Sequence, residues 1–161
     1  MRKSLQRRLN ERGFSLIELM IVIAIIGILL SVGVIGWRTA LRKANEAATI
    51  EWLGRIREAQ SSYALSHRGE FGNFDQLIKD GSLDDKFKGD QPVVSGYIYT
   101  MKVTPKSATQ PSNYIVNADP QVAEGTLNST GHRHFYVDAS VTSIRENPDQ
   151  PASPGDPPIG N

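Results

Sequence analysis

Gly13-Phe14-Ser15-Leu16-Ile17-Glu18-Leu19-Met20 opens an apolar run that continues to Gly36. Across the 23 residues from Phe14 to Gly36, Glu18 is the single ionisable side chain. As helix these residues rise about 34 Å, enough to cross a hydrocarbon core about 30 Å thick. A carboxylate five residues into such a run costs free energy, less near the interface than at the midplane. An ordinary membrane anchor accounts for the apolar run and leaves Glu18 unexplained.

The flanks orient the run. Before it stand Arg2, Lys3, Arg7, Arg8 and Arg12 against Glu11, a local charge of +4, whereas the whole chain carries +1. The remainder is therefore close to −3, and nothing after Gly13 has the basic character of a nucleic-acid surface. After the run come Arg38, Arg42 and Lys43, fewer than precede it, which favours a cytoplasmic N-terminus. Trp37 suits the far interface. Val34-Ile35-Gly36-Trp37 is a poor match to a small-residue cleavage site, so the run is expected to stay in the mature protein. The absence of cysteine excludes disulfides, thiol chemistry and cysteine-ligated metals.

From Arg38 to about Ser66 the pattern stays helical but becomes amphipathic. Ala44, Ala48, Ile50, Leu53, Ile56, Ala59, Tyr63 and Ala64 recur at three- and four-residue steps. No proline lies between residues 14 and 91, so one continuous helix from Phe14 to Ser66 is expected, about 80 Å long at 1.5 Å per residue. Residues 67–95 form a glycine-rich connection, with a short helix from Phe74. Strand patterns follow over 96–146. Tyr97, Tyr99, Met101 and Val103 alternate on one face, Tyr114, Val116 and Ala118 on another strand, and Phe135, Val137 and Ala139 on a third. Residues 141–145 suggest a short fourth strand. The expected fold is α+β: a long N-terminal helix, transmembrane then amphipathic, packed on a small antiparallel β-meander of three to four strands. Residues 147–161 hold five of the nine prolines and no aromatic residue, and are expected to be a disordered proline-rich tail.

Together the basic leader, the Gly13–Phe14 junction, Glu18, the apolar run and the long helix resemble the type IV pilin family, which includes the pseudopilins of type II secretion. The specific match covers about residues 7–66. The resemblance implies a leader over 1–13 cut after Gly13 by a prepilin peptidase, and Phe14 as an N-methylated mature terminus. It implies a transmembrane and filament-core helix half over 14–37 and an amphipathic half over 38–66. Glu18 would then pair with the Phe14 amine of a neighbouring subunit. A new α-amine is largely cationic at neutral pH, and pairing it with a carboxylate in a poorly solvated site relieves both charges. The spacing alone also allows Glu18 to meet its own chain's amine, four residues back on one helical face. Implied partners are identical or related pilin subunits, the prepilin peptidase, an inner-membrane assembly platform, and the lipid bilayer before assembly. The implied location is the inner membrane, as a single-pass protein with its C-terminal domain periplasmic, and then an extracellular filament. The family often carries a proline in the stretch corresponding to 31–37, associated with local helix melting. This chain has Gly33 and Gly36 there and Gly27 before them. These glycines are a candidate weak point, since each costs a helix about 1 kcal/mol relative to alanine, or a surface for close helix packing.

No enzymatic motif is present: no nucleophile elbow, phosphate loop or dinucleotide fingerprint. His132, His134 and Asp138 could share a strand face, but two histidines beside Arg133 are more often surface residues. Asp138, Asp149 and Asp156 lack a calcium-ligand spacing, so no metal and no cofactor is expected. The expected function is that of a structural pilin, with a type II secretion pseudopilin as the alternative. A membrane-anchored periplasmic binding or enzymatic domain is the rival of a different class.

Overall fold

The structure, a computed structural model, describes residues 13–123, 125–126 and 128–160. The leader expected over 1–13 thus lies, apart from Gly13, outside the described residues. The chain divides into two units, Met1–Trp37 and Arg38–Asn161. Helix α1, Leu16–Ser66, contributes to both.

In the first unit, apart from Glu18 in its first turn, α1 carries apolar residues around its whole circumference. Its large apolar side chains from Leu16 to Leu30 stand 45% to 76% exposed. An isolated span of this kind satisfies its backbone internally, which is what lets a helix leave water. Ser31 fits that rule, because its hydroxyl donates to the Ile28 carbonyl at 2.7 Å. The helix is long and apolar enough to cross a membrane, and its most apolar window is wholly unburied by the protein.

In the second unit α1 turns one stripe inward. Glu46, Thr49, Leu53, Ile56, Gln60 and Tyr63 are buried at alternating three- and four-residue steps, the spacing of one helical face. Ala59 is buried beside them, and Ile50 packs on the core. Ala44, expected on this face, is exposed, while Ala48 and Ala64 are half-buried. Polar side chains hold places on the stripe that an apolar count assigns to alanine.

The connection folds through α2, Phe74–Lys79, whose Asn73 cap and Gln76 form a reciprocal capping box. A single 3₁₀ turn, Asp85–Phe87, then places Phe87 in the core against Trp52, Phe74 and Tyr99.

The sheet is an antiparallel meander in the order β1 (Val93–Val94), β2 (Tyr97–Thr104), β3 (Asn113–Pro120), β4 (His134–Asp138) and β5 (Arg145–Asn147). The α+β reading with a helix on a meander holds. Among the described residues there are five strands rather than three or four, because a two-residue strand pairs ahead of β2. The return strand is β5 rather than 141–145. Asp138 accepts from the backbone of Ser140 and Val141, which makes the start of that stretch a turn. Register sets the core: Tyr99 lies opposite Ala118, Met101 opposite Val116, Val116 opposite Val137, and Ala118 opposite Phe135. One face of the sheet therefore carries Tyr97, Tyr99, Tyr114, Val116, Phe135 and Val137 into the cluster with Leu53, Ile56, Leu77 and Phe87.

The proline-rich tail is not disordered through Gly160. Ala152 is buried and its carbonyl accepts from Asn117 Nδ2 at 2.9 Å. Arg145 bridges Pro158, and Ile159 N–H donates to the Ile144 carbonyl at 3.0 Å. The segment lacks a core of its own but borrows the edge of β5, which composition alone cannot reveal.

Candidate functional site

At the head of α1, the Ser15 carbonyl accepts the first helical bond, from Leu19 N–H at 3.2 Å. Ser15 is thus the N-cap and Glu18 the third helical residue. Glu18 Oε2 reaches back to accept from Ser15 N–H at 3.1 Å. This is the acidic half of a capping box, in which a carboxylate satisfies a donor that the helix start leaves orphaned. The helix dipole adds to its stability, because a carboxylate in the first turn faces the positive end.

Gly13 and Phe14 precede the helix without regular structure. Phe14 is 86% exposed, and Gly13 has no neighbour within reach of an added Cβ. The peptide bond between them is therefore free of helical hydrogen bonding and open to solvent. Chemically, hydrolysis there would release a primary amine four residues before the Glu18 carboxylate. The structure brings Glu18 to Ser15, beside this junction.

Helix α1 runs unbroken through Gly27, Gly33 and Gly36. A Cβ on Gly27 or Gly36 would meet nothing within 4 Å among the described residues. His132 and His134 are not drawn to Asp138. His134 Nδ1 pairs with Asp119 Oδ1 at 2.6 Å, across β3 and β4. Asp138 accepts from Tyr136 OH at 2.7 Å, from Ser140 N–H and Oγ, and from Val141 N–H. Burial pushes its carboxyl up, and these four donors outweigh burial and hold it below the usual carboxylate range. Among the described residues, no group of three or more His, Asp or Glu is set to hold a metal.

Two buried polar arrangements were not anticipated. Glu46 Oε2 pairs with the Arg133 guanidinium at 2.8 Å, and its Oε1 accepts from His132 N–H at 2.9 Å. Arg133 also pairs with Glu146 of β5, so one guanidinium ties α1 to the last strand. Asn45 Nδ2 donates to the Thr130 carbonyl at 2.8 Å, and Tyr97 OH donates to the Arg133 carbonyl at 2.8 Å. Gly131 admits that contact: a Cβ there would lie 2.0 Å from the Tyr97 hydroxyl. The second arrangement is Gln60, whose amide both donates to the Gly72 carbonyl at 2.6 Å and accepts from Gly72 N–H at 3.0 Å. The available signal was the stripe itself, with Glu46, Thr49 and Gln60 in phase with Leu53, Ile56 and Tyr63. Their partners could not be read, because Glu46 and Arg133 are separated by 87 residues.

Residues 8–34 match the family described as the prokaryotic N-terminal methylation motif. Over 60 residues the chain is 42% identical to the prepilin peptidase-dependent protein D of Escherichia coli, covering 37% of this chain and 41% of that protein. Over 72 residues it is 36% identical to the type IV wide pilus major component PilA4 of Thermus thermophilus, covering 45% of this chain and 55% of that protein. The chain thus spans about half the length of the curated relatives it matches. No solved structure matches it.

Proposed function

We propose that this type IV pilin-like chain is a structural subunit of a pilus-like filament, made as a membrane-held precursor and cut between Gly13 and Phe14. The observation that carries the reading is Glu18: one carboxylate at the head of an otherwise apolar, solvent-exposed helix, capping Ser15 beside an accessible Gly–Phe bond. The methylation-motif match spans this junction, and one relative is named as a type IV pilus major component.

The mechanism is assembly without catalysis. Before cleavage, the Glu18 carboxylate is satisfied by its own backbone and sits near one end of the span, where burial in lipid costs least. Cleavage removes the basic leader and creates an ammonium or methylammonium at Phe14. A neighbour's amine is a better partner for Glu18 than a neutral N–H, because an ion pair in a poorly solvated setting gains both Coulomb energy and hydrogen bonding. The apolar faces from Leu16 to Leu30 exchange lipid for one another, so that transfer is close to neutral and the charge pair sets the stagger. The unfilled space at Gly27 and Gly36 allows neighbouring helices to approach closely.

Mass spectrometry of the protein from its native cells tests the processing step. The expected N-terminus is Phe14 with one added methyl; an intact Met1, or a cut after Trp37, would reject the reading. Glu18→Ala is expected to insert and to be cleaved, yet to be absent from filaments. Glu18→Gln keeps the cap to Ser15 without the charge and is expected to fail equally. Normal filaments from Glu18→Gln would show that capping, not charge pairing, is the role of this residue.

A further inference from the structure

The segment after β5 has a geometry that bears on how copies of this chain avoid one another. Asn147 turns the chain out of β5, its Oδ1 accepting from Asp149 and Gln150 N–H. Asp156 then gathers Ser153 N–H, Ser153 Oγ and Asn147 Nδ2 onto its carboxylate. This brings residues 157–159 back alongside β5. Glu146 N–H donates to the Pro157 carbonyl at 3.0 Å and Ile159 N–H to the Ile144 carbonyl at 3.0 Å, on either side of the Arg145–Pro158 bridge. In an antiparallel ladder, that pattern makes Arg145 and Pro158 a pair that does not exchange hydrogen bonds, so the backbone groups of Pro158 point away from β5. Proline has no N–H to present there. The next outward donor, Asp156 N–H, is turned back to the Ser153 carbonyl at 3.2 Å.

We propose that residues 148–160 are an edge guard. They occupy the open side of β5 and offer a second copy of this chain an outer row without donors at 156 and 158, so that the sheet does not grow by strand addition. Unpaired sheet edges are ready templates for pairing, and proline on the edge is a known way to blunt them. The opposite edge is blunted differently, by a β1 of two residues that follows Pro92. The inference goes beyond the assembly reading and does not depend on Glu18. A chain that meets its copies through an exposed apolar helix is one in which open sheet edges would compete with that route.

The test uses the full chain in excess detergent micelles, compared with a chain lacking residues 148–161 and with Pro158→Val, by sedimentation and amide hydrogen exchange. Deletion is expected to lower protection of the Glu146 amide about tenfold at low concentration. As concentration rises, the shortened chain associates and that protection returns, because another copy's edge replaces the strap. Pro158→Val keeps the strap but restores an outward N–H, and is expected to associate at a concentration about tenfold below that of the unaltered chain. Both effects persist in a Glu18→Ala background. The proposal is overturned if the altered chains stay single in their micelles, if they associate without protection at β5, or if Glu18→Ala abolishes the association. Should the deletion lose its near-ultraviolet circular dichroism, Pro158→Val decides alone, and its failure to associate overturns the proposal.

Discussion

Gln60→Leu isolates the pairing between α1 and the turn that follows it. Gln60 is fully buried, and its amide makes two complementary bonds to the backbone of Gly72, with Met101 Sδ 3.4 Å from Nε2. Leucine has a similar volume, so packing changes little, but the buried Gly72 N–H and carbonyl lose their partner. Each orphaned group costs about 1–3 kcal/mol, partly offset by the apolar gain of leucine over an amide. A net loss of about 3 kcal/mol follows, or roughly 10 °C in Tm for a domain of this size. Near-ultraviolet circular dichroism is the right readout, since Trp52 and the core tyrosines belong to the folding unit. Far-ultraviolet signal would be dominated by an apolar helix that stays helical in detergent. Gln60→Glu serves as the control: it can accept from Gly72 N–H but cannot donate when ionised, so its deficit should shrink as the pH is lowered through the carboxylate's pKa. A Gln60→Leu chain within about 0.5 kcal/mol of the parent would refute the reasoning, because the two bonds would then contribute nothing net.

Asp138 supplies a pH test. Its folded carboxyl lies below the usual range, despite burial, because Tyr136, Ser140 and Val141 donate to it. Its contribution is therefore present above the unfolded pKa of about 3.9 and is lost as pH falls through the folded value. In acid titrations, Asp138→Asn should be less stable than the parent at neutral pH, and the gap should close below about pH 4. A pH-independent gap would assign the loss to packing. Glu46→Ala should cost about 2 kcal/mol, less than a fully buried pair, because the Arg133 side chain is 33% exposed and keeps Glu146. Chemical denaturation measures this, and a Glu46→Ala, Arg133→Met double variant should recover part of the loss.

Much of the first unit was legible because its signals are local. Hydrophobicity, the lone carboxylate and the Gly–Phe junction are properties of consecutive residues, and the structure adds only that Glu18 caps Ser15. The meander was legible in outline, since period-two alternation at Tyr97, Tyr99 and Met101 is also local. The register was not, nor was β1, whose two residues carry no period. Gln60 and Glu46 look like errors in an amphipathic stripe until Gly72 and Arg133 arrive to satisfy them.

The amino-acid sequence by itself determined that residues 14–36 form an apolar helix with one acidic residue, long enough to cross a hydrocarbon core, because hydropathy and length are properties of consecutive residues. It also pointed to a helix packed on half-buried antiparallel strands, through a three- and four-residue periodicity in the helix and a period of two in the strands. Only the tertiary structure decided that the proline-rich end is folded. That end lacks a core and makes its hydrogen bonds with β5, so its order comes from an edge created by strands far earlier in the chain. The same holds for Arg133, whose place between Glu46 and Glu146 exists only once helix and sheet have met.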